Sequence, residues 1–322
     1  NSGLMELREE IRNYLIRKLN VEYNPKNEMI VTVGGSEGID IALRAMLDKD
    51  DEVLIPQPSY VSYEPCTILA GGKPVIIELK AEDGFKLKAS QILEKITDKT
   101  KILILPFPNN PTGSILNIGE LKEIAKVCIK KDLYVISDEI YCELTYEGEH
   151  ASIVQIEGMK ERTVLINGFS KSYAMTGWRL GYATGPKEII AQMTKIHQYA
   201  IMCAPTTSQY AAVEALMHGD ADVARMRESY NQRRRYLLHR FDELGMTCFE
   251  PQGAFYVFPS IKKFNMSSEE FATRLLEEQK IAIVPGTAFG ESGEGYVRVS
   301  YAYSMDRLKE ALSRIEKFVR SL

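Results

Sequence analysis

Residues 168–181 read Gly-Phe-Ser-Lys-Ser-Tyr-Ala-Met-Thr-Gly-Trp-Arg-Leu-Gly, and the interpretation of the whole chain begins with them. Lys171 stands among small and hydroxyl-bearing residues, and Arg179 follows eight residues later. A lysine that binds an aldehyde as a Schiff base needs small neighbours, so that a ring can approach, and an amine with a lowered pKa. An arginine is a natural anchor for a phosphate on the same aldehyde. The stretch therefore favours a lysine that binds a phosphorylated aldehyde over a lysine exposed in a turn.

The composition is that of a globular protein. The chain has 322 residues, 45% of them hydrophobic and 26% charged, and this length predicts roughly two domains. A net charge of -4 gives no electrostatic reason to expect binding to nucleic acid. We find no run of about 20 apolar residues, no signal-peptide pattern, and no disulfide or metal-binding spacing among five cysteines and four histidines. We therefore expect a cytoplasmic protein that binds neither a membrane nor a metal.

Short apolar, β-branched runs alternate with helix-like segments through the first two thirds of the chain. Helix-like segments, notably 38–47 and 119–131, lie between most of these runs. Strands that are apolar on both faces and alternate with helices predict an α/β fold with a mostly parallel sheet between helices. Such a sheet binds its ligands at the carboxyl ends of its strands. The predicted strands are 30–33, 53–55, 75–77, 102–105, 133–136 and 164–166.

The last third of the chain has a different pattern, which predicts a smaller α+β domain. A long, arginine-rich helix over 221–244 is the expected joint between the two domains. It is followed by a helix over 268–280 and by a final helix whose apolar stripe runs from Met305 to Val319. We place the large domain at residues 1–228 and the small domain at 229–322. Strand-like segments are predicted at 254–259, 281–285 and 296–301.

Two motifs after predicted strands offer contacts to a phosphate and a ring. The sequence Val33-Gly-Gly-Ser-Glu37 leads into a helix, so free backbone amides and the Ser36 hydroxyl could hold a phosphate. Alone, this pattern is more often an ordinary turn. The sequence Pro56-Gln-Pro-Ser-Tyr-Val-Ser-Tyr63 places Tyr60 at the start of the next helix, where its ring is free to stack on a planar ligand. An aromatic residue packed under the sheet is an equally good interpretation of Tyr60.

Two further motifs offer polar groups to the same kind of ligand. In Phe107-Pro-Asn-Asn-Pro-Thr-Gly113, prolines hold asparagines in a rigid turn, from which one can donate to a ligand oxygen. In Ser137-Asp-Glu-Ile-Tyr141, an aspartate ends a buried strand, which is costly unless a cation pairs with it. A protonated pyridine nitrogen is such a cation, and the hydroxyl of Tyr141 would lie close to the same ring.

Taken together and in this order, the five motifs resemble those of the class I/II aminotransferases, enzymes of fold type I that use pyridoxal 5'-phosphate. The stretch 168–181 fits the lysine signature of that family without a gap, and Asn-Asn-Pro-Thr-Gly and Ser-Asp-Glu-Ile-Tyr are equally typical of it. The resemblance covers essentially the whole chain. It is nearest to the microbial branch that contains aspartate and aromatic aminotransferases. In this interpretation, residues 1–228 form the domain that binds the cofactor.

The resemblance implies a role for each motif. Lys171 would form the Schiff base and move protons, Asp138 would keep the ring nitrogen protonated, and Tyr60 would stack on the ring. Asn110 would hydrogen-bond the ring's phenolic oxygen and also contact the substrate, and Arg298 would bind the substrate's α-carboxylate. The remaining cofactor contacts would come from Gly35, Ser36, the backbone amide of Glu37, Tyr141, Ser170 and Arg179.

The chain departs from the family pattern in two places. Many relatives have a serine where this chain has Gly168, and Ser170 is the expected substitute. Relatives also have a segment before the opening helix, with a glycine near the substrate and a tyrosine that reaches the partner subunit's phosphate. We therefore expect the natural protein to be longer than this chain, and we expect a homodimer with shared active sites.

The resulting prediction is transamination between an L-amino acid and a 2-oxo acid, with 2-oxoglutarate as the expected acceptor. A pyridoxal-phosphate-dependent carbon–sulfur β-lyase of the same fold remains open, because its lysine, aspartate and arginines would look alike. A non-enzymatic regulator of this fold usually carries a DNA-binding module, and none is present in this chain. A nicotinamide-dependent dehydrogenase is disfavoured because the Gly-x-Gly-x-x-Gly spacing is missing.

Overall fold

A computed structural model describes the whole chain, Asn1–Leu322, and its centre is a seven-stranded sheet. The strand order is β1-β7-β6-β5-β4-β2-β3. Strand β7 runs antiparallel to both of its neighbours, and the other pairs are parallel. The strands are β1 (Met29–Thr32), β2 (Glu52–Gln57), β3 (Lys73–Glu78), β4 (Thr100–Leu105), β5 (Tyr134–Asp138), β6 (Thr163–Gly168) and β7 (Gly181–Thr184). This arrangement confirms the predicted α/β fold.

Helices cover both faces of this sheet, because successive strand residues point to opposite sides. In β4, Ile102 and Ile104 pack in the core on one face, whereas Leu103 and Leu105 pack in the core on the other. The helices of this part are α1 (Met5–Leu19), α2 (Gly35–Met46), α3 (Tyr63–Leu69), α4 (Ala89–Lys95), α5 (Ile118–Lys130), α6 (Phe169–Ser172), α7 (Lys187–Ala200) and α8 (Thr206–His218). None of the helices combines the length and the apolar composition that a membrane span requires.

A smaller antiparallel sheet follows the long helix α9 (Asp220–Glu243). Its order is β8-β10-β9, with β8 at Tyr256–Val257, β9 at Val284–Pro285 and β10 at Val297–Ser300. Helices α10 (Ser268–Gln279) and α11 (Met305–Val319) pack on it and share a separate apolar core. This unit confirms the smaller C-terminal domain. The boundary between residues 228 and 229 falls inside α9, so this division of the chain stays a prediction.

Several boundaries differ from those expected from the sequence. Strand β7 was not predicted, because it is only four residues long and lies at the end of the lysine stretch. Helix α3 begins at Tyr63, so Tyr60 lies before the helix and not at its start. The predicted strand 281–285 is a strand only over Val284–Pro285, which pairs with β10. In α11 the last fully buried side chain is that of Phe318, one residue before the predicted Val319.

Candidate active site

A cavity of about 260 Å³ lies where β1, β2, β4, β5 and β6 end. The loop or helix that follows each of these strands contributes residues that line the cavity. Arg298 also lines it and belongs to β10 of the small sheet. The cavity therefore forms between the two sheets, as the topology of a doubly wound fold predicts. Ten of the eleven residues predicted for the site line it: Gly35, Ser36, Tyr60, Asn110, Asp138, Tyr141, Ser170, Lys171, Arg179 and Arg298.

Lys171 lies in the short helix α6, directly after the buried strand β6. Burial lowers the pKa of its amine, and the positive charges of Arg179 and Arg298 lower it further, whereas Asp138 opposes the shift. Its Nζ lies 5.6 Å from the centre of the Phe255 ring. The lysine has no hydrogen-bonded acidic partner of its own. These surroundings favour a neutral, nucleophilic amine, as a residue that binds an aldehyde requires.

Asp138 ends β5 and is almost fully buried. The Tyr63 hydroxyl donates a hydrogen bond of 2.7 Å to its Oδ2, and the Ile140 amide donates one of 3.2 Å to its Oδ1. Burial raises the pKa of Asp138, and these two hydrogen bonds partly offset that rise by stabilising the carboxylate. A buried carboxylate with so few partners has capacity to pair with a cation from the cavity.

The amino end of α2 lines a corner of the cavity that is suited to an anion. No side chain caps this helix, so its first amides are free, and the Ser36 hydroxyl lies 3.2 Å from that of Tyr60. A Cβ at Gly34 would lie 3.0 Å from a terminal nitrogen of Arg179, so glycine there lets the guanidinium approach the loop. Arg179 itself has a left-handed backbone with φ of 51°, a conformation that is uncommon away from glycine and frequent at functional sites.

Arg298 also lines the cavity, where one amide and two aromatic rings contact its guanidinium. Its Nη1 donates a hydrogen bond of 2.9 Å to Oδ1 of Asn110. The rings of Tyr256 and Phe289 lie 4.3 Å and 4.8 Å from its Cζ. Its Nε is buried and has no partner in the protein. A guanidinium with an unsatisfied edge is suited to a planar carboxylate, which accepts two parallel hydrogen bonds.

Glu37 is the one predicted residue that does not line the cavity. Its carboxylate accepts a hydrogen bond of 2.5 Å from the Val33 amide and lies 2.7 Å from Nδ1 of the buried His197. The Glu37 side chain therefore links α2 to α7 through a hydrogen bond with His197. The predicted contact involves the Glu37 backbone amide and stays a prediction.

The glycine at position 168 has a steric reason. A Cβ there would lie 3.0 Å from the backbone at Leu180 and Gly181 and equally close to the Ile140 side chain. A side chain at position 168 would therefore pack tightly against the neighbouring strand β7 and Ile140, and these neighbours would have to shift slightly to admit it. Ser170, by contrast, lines the cavity, and its carbonyl oxygen accepts a hydrogen bond of 2.9 Å from Thr176.

Sequence reasoning missed Tyr63, Thr176 and Tyr256, which also line the cavity. Tyr63 is the last residue of the 56–63 motif that contains Tyr60. Its position three residues after Tyr60, at the start of a helix, could have indicated that it also faces the cavity. Tyr256 lies in a two-residue strand of the small sheet, and no sequence pattern indicates that this strand approaches β5.

Comparison with known proteins identifies the family. The family described as aminotransferase class I and II matches residues 1–315. The putative aminotransferase YugH of Bacillus subtilis is 51% identical over 99% of this chain and 83% of that protein. The aspartate aminotransferase of Pyrococcus abyssi is 46% identical, with the same coverage of 99% and 83%. The crystal structure of an aromatic aminotransferase from Pyrococcus horikoshii matches with a TM-score of 0.98 and 44% identity, over 100% of this chain and 86% of that one. The chain therefore belongs to the class I and II aminotransferases, which transfer amino groups and share this fold.

Proposed function

We propose that the chain catalyses pyridoxal-phosphate-dependent transamination between an L-amino acid and a 2-oxo acid, with 2-oxoglutarate as the acceptor. Members of the family are generally dependent on pyridoxal phosphate. The observation that carries the proposal is the grouping of Lys171, Asp138, Arg179 and Arg298 around one cavity. One amine of lowered pKa, one buried carboxylate and two guanidinium groups match the functional groups of a phosphorylated pyridine aldehyde and an amino acid.

The residues of the cavity fit this cofactor. Asp138 has a buried carboxylate oxygen to pair with a pyridine nitrogen, and the uncapped start of α2 with Arg179 suits a phosphate. Tyr141 and Asn110 offer donors beside the same ring, and Lys171 would hold the aldehyde covalently. When bound, the cofactor supplies the aldehyde that takes up the amino group and a ring that accepts electron density from the substrate's Cα.

The protein's own residues then have distinct tasks. Arg298 binds the α-carboxylate that all amino and 2-oxo acids share, and Asn110 fixes the direction of the guanidinium. Lys171 Nζ, with its lowered pKa, would take the proton from Cα of the amino acid, and in the second half of the cycle it would deliver a proton to C2 of the 2-oxo acid. Asp138, as a carboxylate, keeps the ring nitrogen protonated. An acidic amino acid as one substrate is supported by relatives named aspartate aminotransferase, such as that of Pyrococcus abyssi.

The experiment is reduction of the protein with borohydride in the presence of pyridoxal phosphate, followed by peptide mapping. We expect the tag on Lys171, and we expect Lys171→Ala to lose both the tag and the visible absorbance. Lys187→Ala, which removes a largely exposed lysine, is the matched control and should keep both. A tag on another lysine would refute the assignment.

A panel of amino acid donors and 2-oxo acid acceptors then tests the reaction. We expect amino-group transfer that requires a 2-oxo acid, with 2-oxoglutarate among the good acceptors. Release of pyruvate from cystathionine without an acceptor would identify a carbon–sulfur β-lyase instead.

A further inference from the structure

Tyr256 is a cavity residue with no role in the assignment above. It lies in β8 of the small sheet, 6% exposed, and faces the large domain across the cavity. Two of the groups it contacts, Tyr141 and Arg298, are those proposed for the cofactor and for the substrate. Because one side chain contacts both, it can affect cofactor and substrate binding at the same time.

The Tyr256 hydroxyl lies 2.9 Å from the Tyr141 hydroxyl, and this is the only hydrogen bond that either group makes within the protein. A hydroxyl has a single proton to donate and two lone pairs that accept. If Tyr141 donates its proton to a ligand oxygen in the cavity, it must accept from Tyr256. Hydrogen bonds in such a chain strengthen one another, so donation by Tyr256 makes Tyr141 a better donor.

The Tyr256 ring has a second contact, with Arg298. The Cζ of Arg298 lies 4.3 Å from the centre of this ring, well within the range of about 6 Å for a cation–π interaction. Phe289 provides a second ring at 4.8 Å, and Asn110 holds one terminal nitrogen. The two rings and the amide together restrict the plane of the guanidinium, and a carboxylate fork depends on that plane.

We propose that Tyr256 is a positioning residue for both halves of the site: its hydroxyl sets the donor strength of Tyr141, and its ring face holds the plane of Arg298. This inference rests on the proposed function, because it assigns Tyr141 to the cofactor and Arg298 to the substrate's carboxylate. The two contacts use different parts of one side chain, so two substitutions can separate them.

Tyr256→Phe removes the hydroxyl and keeps the ring. A weaker hydrogen bond from Tyr141 would stabilise the negative charge on the cofactor's phenolic oxygen less. The pKa of the proton shared beside that oxygen would therefore rise. We expect the pH midpoint of the cofactor's visible absorbance to rise by about 0.5–1 unit, which is the size that one hydrogen bond supports. The charged groups that face the cavity, Lys171, Asp138, Arg179 and Arg298, are all retained. The KM for amino acids should change less than about twofold, because the ring face that holds Arg298 remains.

Tyr256→Met removes both the hydroxyl and the ring face at a roughly similar volume. We expect the same rise in the spectroscopic midpoint, together with a KM that rises about five- to thirtyfold for every amino acid and 2-oxo acid in the panel. The increase should not depend on the substrate's side chain, since Arg298 is assigned to the carboxylate that all of them share. If Tyr256→Met does not fold, Tyr256→Phe still tests the hydroxyl.

The matched control is Tyr301→Phe. Tyr301 is fully buried in the same aromatic cluster, and its hydroxyl bonds to Ala254 and Tyr146 outside the cavity. It should leave the midpoint and the KM unchanged. An unshifted midpoint in Tyr256→Phe, or an equal shift in Tyr301→Phe, would overturn the inference. Failure of the proposed function would look different, because the unaltered protein itself would then lack a visible band that any amino acid converts.

Discussion

At the scale of single residues, the chemistry of the cavity depends on how its charges act on Lys171. Burial and, after it, two guanidinium groups lower the pKa of its amine, and the carboxylate of Asp138 acts in the opposite direction. The arginines therefore have a second effect besides the anion binding proposed for them, since each of them favours the neutral, reactive form of the lysine.

This coupling can be measured in the cofactor-free protein. Replacing Arg298 with alanine removes a positive charge, so the protonated amine becomes less costly and the pKa of Lys171 rises. The rate of covalent capture of pyridoxal phosphate increases with pH as the neutral amine forms, and we expect that increase to move to higher pH in Arg298→Ala. Stopped-flow absorbance over a pH series measures it.

The control for this experiment is Arg298→Lys, which keeps the positive charge and loses the planar fork. It should leave the capture profile close to that of the unaltered protein while weakening carboxylate binding. Coincident profiles for Arg298→Ala and the unaltered protein would show that Arg298 does not act on the lysine.

Tyr63 and Asp138 form a second coupled pair. Burial raises the pKa of Asp138, and the hydrogen bond from Tyr63 opposes that rise, so Tyr63→Phe should raise the pKa further. In the proposed function the ring nitrogen needs the carboxylate form of Asp138, which is lost as the pH falls through the raised pKa. We therefore expect Tyr63→Phe to lower turnover about tenfold at low pH and progressively less as the pH increases.

Asp138→Asn gives the comparison, because an amide does not titrate. Its turnover should be lower by about two orders of magnitude or more at every pH. The pH profiles of kcat for the two variants, measured side by side, distinguish a carboxylate whose pKa has changed from a carboxylate that is absent. A Tyr63→Phe profile parallel to that of the unaltered protein would contradict this account.

At the scale of elements, the loop after β4 shows how a site residue is held by the chain around it. Oδ1 of the buried Asn109 accepts from the amide and the hydroxyl of Thr112. The Gly113 carbonyl accepts from the amides of Gln252 and Gly253, both at 2.9 Å, where the chain enters the small domain. Asn110 therefore lies in a loop that is held by hydrogen bonds within the loop and by hydrogen bonds from residues 252 and 253.

Two glycines with the same φ allow these contacts of the loop to be tested. Gly113 and Gly148 both have φ of 72°, but a Cβ at Gly113 would lie 2.2 Å from Pro251, whereas nothing lies within 4 Å of a Cβ at Gly148. Gly148→Ala should reduce the free energy of unfolding by about 1–2 kcal/mol through backbone strain alone. Gly113→Ala should cost a further 1–3 kcal/mol or so, because it also overpacks the junction. Urea unfolding measures the free energy of unfolding of both variants. Equal decreases would show that the residues around Gly113 move aside without cost.

Much of this architecture can be predicted from sequence because its signals are local. Each of the six predicted strands of the large sheet is apolar on both faces, and each site motif follows its strand directly. The small sheet is harder, since β8 and β9 have only two residues each and leave no measurable alternation. Tyr256 and His197 were missed for a related reason. Their partners, Tyr141 and Glu37, are more than a hundred residues away in the chain.

At the scale of the whole molecule, the three most exposed large apolar side chains lie on, or directly after, helices of one layer. Leu69, at the end of α3, is 67% exposed; Tyr199, in the last turn of α7, is 87% exposed, and Met202, just after α7, is 66% exposed. Both helices pack against α2, so these side chains belong to the layer on the same face of the large sheet. Single exposed apolar residues are common, but groups of them mark surfaces that bind other proteins.

We predict that this layer forms part of the interface of a homodimer, with the two copies related by a two-fold axis. Light scattering during size-exclusion chromatography should give twice the mass of the chain at micromolar concentration. The double substitution Tyr199→Glu and Met202→Glu should shift the protein towards the monomer, because two carboxylates would then be buried in an apolar contact. Tyr303→Glu is the control: Tyr303 is similarly exposed, at 61%, but it lies beyond β10 in the small domain and should leave the dimer intact. If the unaltered protein were a monomer, the prediction of a dimer would be wrong. If only Tyr303→Glu disrupted the dimer, the interface would lie elsewhere.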